Sequence, residues 1–248
     1  MNYIVFDLEF NQAWDFEENK GSINLKCPFE IIQIGALQLN ENLEVVSTFD
    51  RLVKPELYSN LHPFVQQLTG ITIENLTSAK TFKEIYEEFT QFISNESILC
   101  MWGKSDMKEL LRNIKYHNLD MSIIPKEYIN IQLYASKYLQ SPKGTSVGLR
   151  NAVELLNIPH GSNFHDALND AYYTADVFKR INNHEIKPLI YHSDKESRLR
   201  TTSIKTKLDT NELMNQFEKM YNRQMTEEEQ SIIKLAYIMG KTNQFQSV

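Results

Sequence analysis

The chain predicts an α/β fold: a mixed five-stranded sheet with flanking helices, followed by a small helical appendage at the C-terminal end. Three observations predict it. Short runs of β-forming apolar residues come first, and stretches with helical spacing separate the later ones, an order of three strands, helix, strand, helix, strand and then helices. The 248 residues are long enough to bury a sizeable core. A share of 42% hydrophobic and 23% charged residues is that of an ordinary globular chain.

Tyr3, Ile4, Val5 and Phe6 form the first strand, which delivers Asp7 and Glu9 at its end. Residues 11–29 are polar and irregular, punctuated by Gly21 and Pro28, and read as a loop. Residues 30–39 and 43–53 alternate as strands, with Asn40, Glu41 and Asn42 as the turn of a hairpin. A long connection over 55–80 contains LTGIT, where Gly70 marks a tight turn. Residues 81–93 place Phe82, Ile85, Phe89, Phe92 and Ile93 at helical spacing. A short buried strand, 97–103, runs into Ser105, which is expected to cap the next helix. A last strand over 128–132 precedes helices, of which 164–181 carries Ala167, Ala171 and Ala175 four residues apart, a spacing suited to close approach to a sheet.

Three segments follow from this reading: a main domain over 1–185, a basic linker or arm over 186–208 and a helical appendage over 209–248. Between Lys195 and Lys207 lie five basic residues and one acidic one. Thr226 and Glu229 form a capping-box pattern, and Gly240 is a natural helix stop. No apolar run is long enough for a membrane span, and no leader pattern opens the sequence, so a cytoplasmic protein without membrane attachment is expected. Two cysteines in unrelated contexts, Cys27 and Cys100, argue against a disulfide framework. A net charge of −6 argues against wrapping long nucleic acid by electrostatics alone, though not against holding a strand end with the help of bound cations.

The chemistry gathers in three places. Successive strand residues alternate in face, so Asp7 and Glu9 point the same way at the end of a buried strand. Side-by-side carboxylates are unfavourable unless positive charge answers them. A pair of hard cations is one answer; a solvated turn or a Lys or Arg from elsewhere are others. Asp106 follows the strand SILCMW, and His165 and Asp170 lie five apart at the start of a helix. Both can look toward one sheet edge only if His165 occupies the first turn. A four-carboxylate set suits Mg²⁺ or Mn²⁺ better than Zn²⁺. His160 and His165 lack the Cys or His companions a zinc site needs, and His62, His117, His184 and His192 show no partner pattern. Asp166 and Asp176 read as a solvated face or as caps.

The order Asp7-x-Glu9, Asp106 and His165-x4-Asp170, with EIIQIGAL and LTGIT between, resembles the DEDDh branch of the DnaQ-like 3′–5′ exonucleases over about residues 1–184. It is most similar to the RNA-trimming, histone-mRNA-exonuclease-like members. That resemblance implies a ribonuclease H-like fold and metal-dependent hydrolysis of phosphodiesters from the 3′ end of single-stranded nucleic acid, RNA favoured, to nucleoside 5′-monophosphates. It implies two Mg²⁺ or Mn²⁺ ions held by Asp7, Glu9, Asp106 and Asp170, with Asp7 bridging and His165 as the general base. It also places Leu8, Phe10, Asn11, Leu68, Thr69 and Trp102 beside the substrate. Where many relatives carry Thr after the Glu, Phe10 and Asn11 stand here; Phe10 is expected to touch or underlie the terminal base, and Asn11 to be an adjustable polar contact. Trp102 has a core reading beside the stacking one. The alternatives are a DNA-trimming or proofreading exonuclease and a non-catalytic module that keeps the fold to bind nucleic acid. The C-terminal helices are a further expected surface for a protein partner.

Overall fold

Strand β1 (Asn2–Gln12) is the centre of the sheet, and its apolar run explains why: Ile4, Val5 and Phe6 are all fully buried, so both of its faces are covered. A computed structural model describes residues 2–13, 24, 26–93, 96–142, 144–161, 163–183 and 185–192, and then 214, 217, 218, 221, 223–226, 229, 230, 232 and 233. The chain divides into two units, Met1–Ser193 and Asp194–Val248.

In the first unit β1 pairs antiparallel with β2 (Phe29–Leu39), which pairs antiparallel with β3 (Val45–Lys54). On the other side β1 runs parallel to β5 (Ser97–Met101), and β5 runs parallel to β6 (Glu127–Asn130). Two edge strands extend the expected five: β4 (Lys80–Thr81) beside β3, and β7 (Leu189–Ile190) beside β6. The described sheet therefore has seven strands in the order β4-β3-β2-β1-β5-β6-β7. Each added strand is two residues long, too short to show the alternation by which a strand is read from sequence. Because β7 pairs with β6 and the Tyr191 amide donates to the Lys126 carbonyl, the segment expected to open a linker at 186 remains part of the first unit.

The helices cover both faces. Ile4, Phe6 and Leu8 pack with α3 (Phe82–Phe92) and α4 (Ser105–Tyr116), through Phe82, Ile85, Phe89, Met107, Leu110 and Ile114. Val5, Leu37, Leu39 and Cys100 pack on the opposite side with α5 (Ile131–Tyr138), α6 (Leu149–Leu155) and α7 (Ala167–Ile181). Two short helices, α1 (Pro63–Thr69) and α2 (Ile73–Thr77), occupy the long connection over 55–80, on either side of the tight turn at Gly70. They cover Ile32, which the register skips between Gln33 and Ile31, so that this one residue leaves the β2 alternation and joins Leu61, Val65, Ile71 and Leu76.

Local signals account for the ends of the elements. Thr81 caps α3 in a capping box with Glu84, and Thr72 does the same for α2 with Asn75. Gly70, in the left-handed conformation at φ 72°, closes α1. The expected Ser105 cap is not made: Lys104 holds the cap position without a side-chain bond, which puts Asp106 inside the first turn of α4. In the second unit, Thr226 and Glu229 form the expected capping box and Arg223 pairs with Glu229 at 2.6 Å. The basic stretch 195–207 and most of the appendage, with its expected partner surface, lie outside the described residues.

Candidate active site at the end of the central strand

Asp7 and Glu9 project from β1 on the α7 side, since Val5, two residues earlier, belongs to the core packed on that helix. Asp7 lies opposite Gly35 of β2, and Gly35 is where α7 meets the sheet. A Cβ at Gly35 would stand 2.1 Å from the Leu168 amide nitrogen, so only glycine lets the start of α7 rest on the strand. Gln33, two residues away on the same face, fixes that seat. Its Oε1 accepts from the Ala167 amide at 3.2 Å, and its Nε2 donates to Asp50 at 3.0 Å and to Asp166 at 3.1 Å. Asp166 is the N-cap of α7, accepting from the Asn169 amide, which settles its sequence reading in favour of the cap. Asp170 then lies one turn inside the helix, facing the strand that carries Asp7 and Glu9.

His165 departs from its expected place. It precedes the helix cap and adopts a left-handed backbone at φ 67°, rare for a residue with a side chain. This turn, not a helical spacing, returns it to Asp170: the His165 amide donates to Asp170 Oδ2 at 3.2 Å. Ligand atoms of Glu9, His165 and Asp170 lie within 4.8 Å of one another. Asp106 approaches from the first turn of α4 and raises the pKa of both Asp7 and Glu9.

Charge at this point is concentrated and under-compensated. Burial first, then Asp106, Glu9, Asp170 and Asp166, pushes the Asp7 carboxyl well above the usual range. Burial and Asp170, Asp106 and Asp166 push Glu9 up to about 8. Asp106 rises to about 7 through burial, against its own backbone amide and with Asp170 and Glu109 adding to the rise. Asp170 rises to about 6, chiefly by burial, while the His165 amide and Arg150 pull it down. Asp170 Oδ1 is buried and has no hydrogen-bond partner. An orphaned buried carboxylate oxygen among three more carboxylates, with no sulfur donor, fits hard divalent cations. Asp7, Glu9, Asp106 and Asp170 are the residues that could hold them.

The six expected substrate residues separate. Leu8 and Phe10 share the face of Ile4 and Phe6, away from the carboxylates. Leu8 is buried in that core, and Phe10 packs against it with its ring 6.2 Å from that of Phe29. Strand alternation thus turns Phe10 to the face opposite Asp7 and Glu9. Asn11 is not adjustable: fully buried, it donates to the Tyr58 and Asn60 carbonyls and accepts from the His62 amide, clamping the approach to α1. The Thr69 hydroxyl donates to the Val65 carbonyl and accepts from the Ile71 amide, yet Thr69 also lines a cleft of about 370 Å³ shared with Gln33, Asp50 and Asp166. Leu68 and, four residues earlier, Phe64 are exposed on α1. Trp102 packs on the α7 side with its buried indole N–H unpartnered.

Gln33 and Phe64 were not singled out from the sequence. The glycine inside β2 was the available signal for the strand face that Gln33 shares. Phe64 carries no pattern of its own, and only its exposure, 59%, distinguishes it.

The sequence profile described as Exonuclease, of the RNase T family, matches residues 4–178. The 3′-5′ exonuclease crn-4 of Caenorhabditis elegans is 25% identical over 186 residues, covering 68% of this chain and 61% of crn-4. ERI1 exoribonuclease 3 of Homo sapiens is 27% identical over 165 residues, covering 62% of this chain and 48% of the human protein. The chain thus matches about half to three-fifths of the length of these curated relatives. Among solved structures, the nuclease domain of 3′hExo, a DEDDh family member bound to rAMP, superposes with a TM-score of 0.65 at 23% identity, covering 77% of this chain and 97% of that one; this likeness is one of fold. With the profile spanning most of the first unit, the chain belongs to the RNase T family of exonucleases.

Proposed function

We propose that this chain is a divalent-metal-dependent 3′–5′ exonuclease that trims single-stranded nucleic acid, RNA in preference to DNA, to nucleoside 5′-monophosphates. The observation that carries the reading is the grouping of Glu9, His165 and Asp170, whose ligand atoms lie within 4.8 Å of one another, with an orphaned Asp170 oxygen and with Asp7 and Asp106 close enough to be coupled to it by charge. Asp7, Glu9, Asp106 and Asp170 hold two Mg²⁺ or Mn²⁺ ions. Bound there, the ions supply Lewis acidity toward the phosphodiester and offset charge on its oxygens. His165 accepts the proton of the attacking water on its imidazole. Burial, with Arg150 adding to it, lowers the His165 pKa, so the ring is neutral and ready to accept at neutral pH. The exposed Phe64 and Leu68 offer an apolar face to a base, held near the end of β1 because Asn11 bonds the backbone just before α1.

The preference for RNA rests on the human relative, named an exoribonuclease, and on the rAMP bound in the 3′hExo nuclease domain. The test uses 5′-labelled RNA and DNA oligonucleotides with Mg²⁺ or Mn²⁺, beside an Asp7→Ala variant. Stepwise shortening from the 3′ end by the wild type alone is expected, faster on RNA. Faster DNA shortening would assign the DNA-trimming alternative. No hydrolysis of either polymer would leave the binding-module reading.

A further inference from the structure

Arg150 lies in the first turn of α6, where a cation meets the positive end of the helix dipole, so the helix itself gains nothing from it. The residue is exposed and belongs to none of the ion pairs among the described residues. Its guanidinium is nevertheless held in place, 4.2 Å above the ring of Phe164. Phe164 is buried and stacks on Tyr173 at 4.6 Å, so the platform under the cation is fixed. Phe164 immediately precedes His165, which puts Arg150 at the rim of the carboxylate cluster. Its charge reaches His165 and Asp170, and no other Lys or Arg figures among the main influences on Asp7, Glu9, Asp106 and Asp170. A planar fork of donors, pre-oriented by an aromatic face and left without a carboxylate, suits a phosphate.

We propose that Arg150 binds the phosphodiester presented to the carboxylate cluster, its guanidinium taking the non-bridging oxygens while Phe164 holds its plane. The assignment rests on the exonuclease reading and adds a substrate-binding residue that none of the sequence motifs contains. It makes α6 part of the substrate groove.

The test is equilibrium binding of a 5′-fluorescent single-stranded RNA to the full chain by anisotropy across a salt series, with Ca²⁺ in place of Mg²⁺ to prevent turnover. Arg150→Gln is expected to weaken binding by about tenfold or more. It should also reduce the slope of log Kd against log salt by about 0.7, one phosphate contact on a single strand. Arg150→Lys should keep the slope and recover only part of the affinity, because the ammonium retains the charge without the fork. Unchanged affinity and slope in Arg150→Gln, with a wild-type melting temperature and a wild type that binds and trims, would overturn the assignment alone. If the Gln variant melts early, the Lys variant decides: partly reduced affinity at a retained slope supports the contact, and affinity unchanged from the wild type refutes it. A wild type that neither binds nor trims overturns the exonuclease reading, and the Arg150 assignment with it.

Discussion

Asp7→Asn keeps the shape of the side chain and removes one of four charges that repel one another at the end of β1. Hydrolysis is expected to fall by about 10³-fold, on the scale of losing one electrostatic partner of the reacting group. The fold should gain: in the absence of divalent metal the variant melts at or above the wild-type temperature. The sign follows from the raised carboxyls. Their stability contribution is intact below about pH 4 and is lost as pH rises through the folded value, about 8 for Glu9, so the gap in melting temperature widens over that window. His165→Gln separates base from ligand. A loss of about 10²- to 10⁴-fold in kcat is expected, together with disappearance of the acid limb, which in the wild type lies below the ordinary imidazole range. At this scale the sequence was most legible where strand alternation carried the information, as at Asp7 and Glu9, which leave β1 on one face. It was least legible at Phe10 and Asn11, whose roles depend on what lies across the strand: Phe29 for one, the 58–62 backbone for the other.

Helix α7 is placed by main-chain contact with β2, so the most damaging small change is one methyl group. Gly35→Ala sets a Cβ against the backbone of Ala167 and Leu168, where no side chain can yield. A destabilisation of about 3 kcal/mol is expected by chemical denaturation. Activity should fall further than stability alone explains, because Asp170 moves away from Glu9 with the helix. Long periodic elements such as α3 and α7 were readable within a few residues, since burial of one face imposes the pattern. The short helices α1 (Pro63–Thr69) and α2 (Ile73–Thr77) were not, because so few turns do not establish a period. The helical pattern of the sequence begins at 164, whereas α7 begins at Ala167, because the left-handed turn at His165 precedes the cap.

All five candidate catalytic residues belong to the unit Met1–Ser193. A chain ended after Ser193 is therefore expected to shorten oligonucleotides of a few residues at close to the full-length rate. If the basic stretch 195–207 follows the phosphates upstream, the full-length protein should show a steeper salt dependence on longer strands, and equal slopes would remove that role. The net charge of −6 is consistent with a protein that holds a strand end locally and does not coat a polymer. The raised carboxyls give the molecule as a whole one more property: without metal it is a weak acid that buffers near neutrality. With Glu9 at about 8, Asp106 at about 7 and Asp170 at about 6, cations entering the site at pH 7 must displace protons already there. Adding Mg²⁺ or Mn²⁺ to the lightly buffered protein should acidify the solution, and Asp7→Asn should reduce the alkali needed to hold pH constant. Metal supply and ambient acidity then act on the same carboxylates, so metal affinity is expected to fall progressively as pH falls through this range.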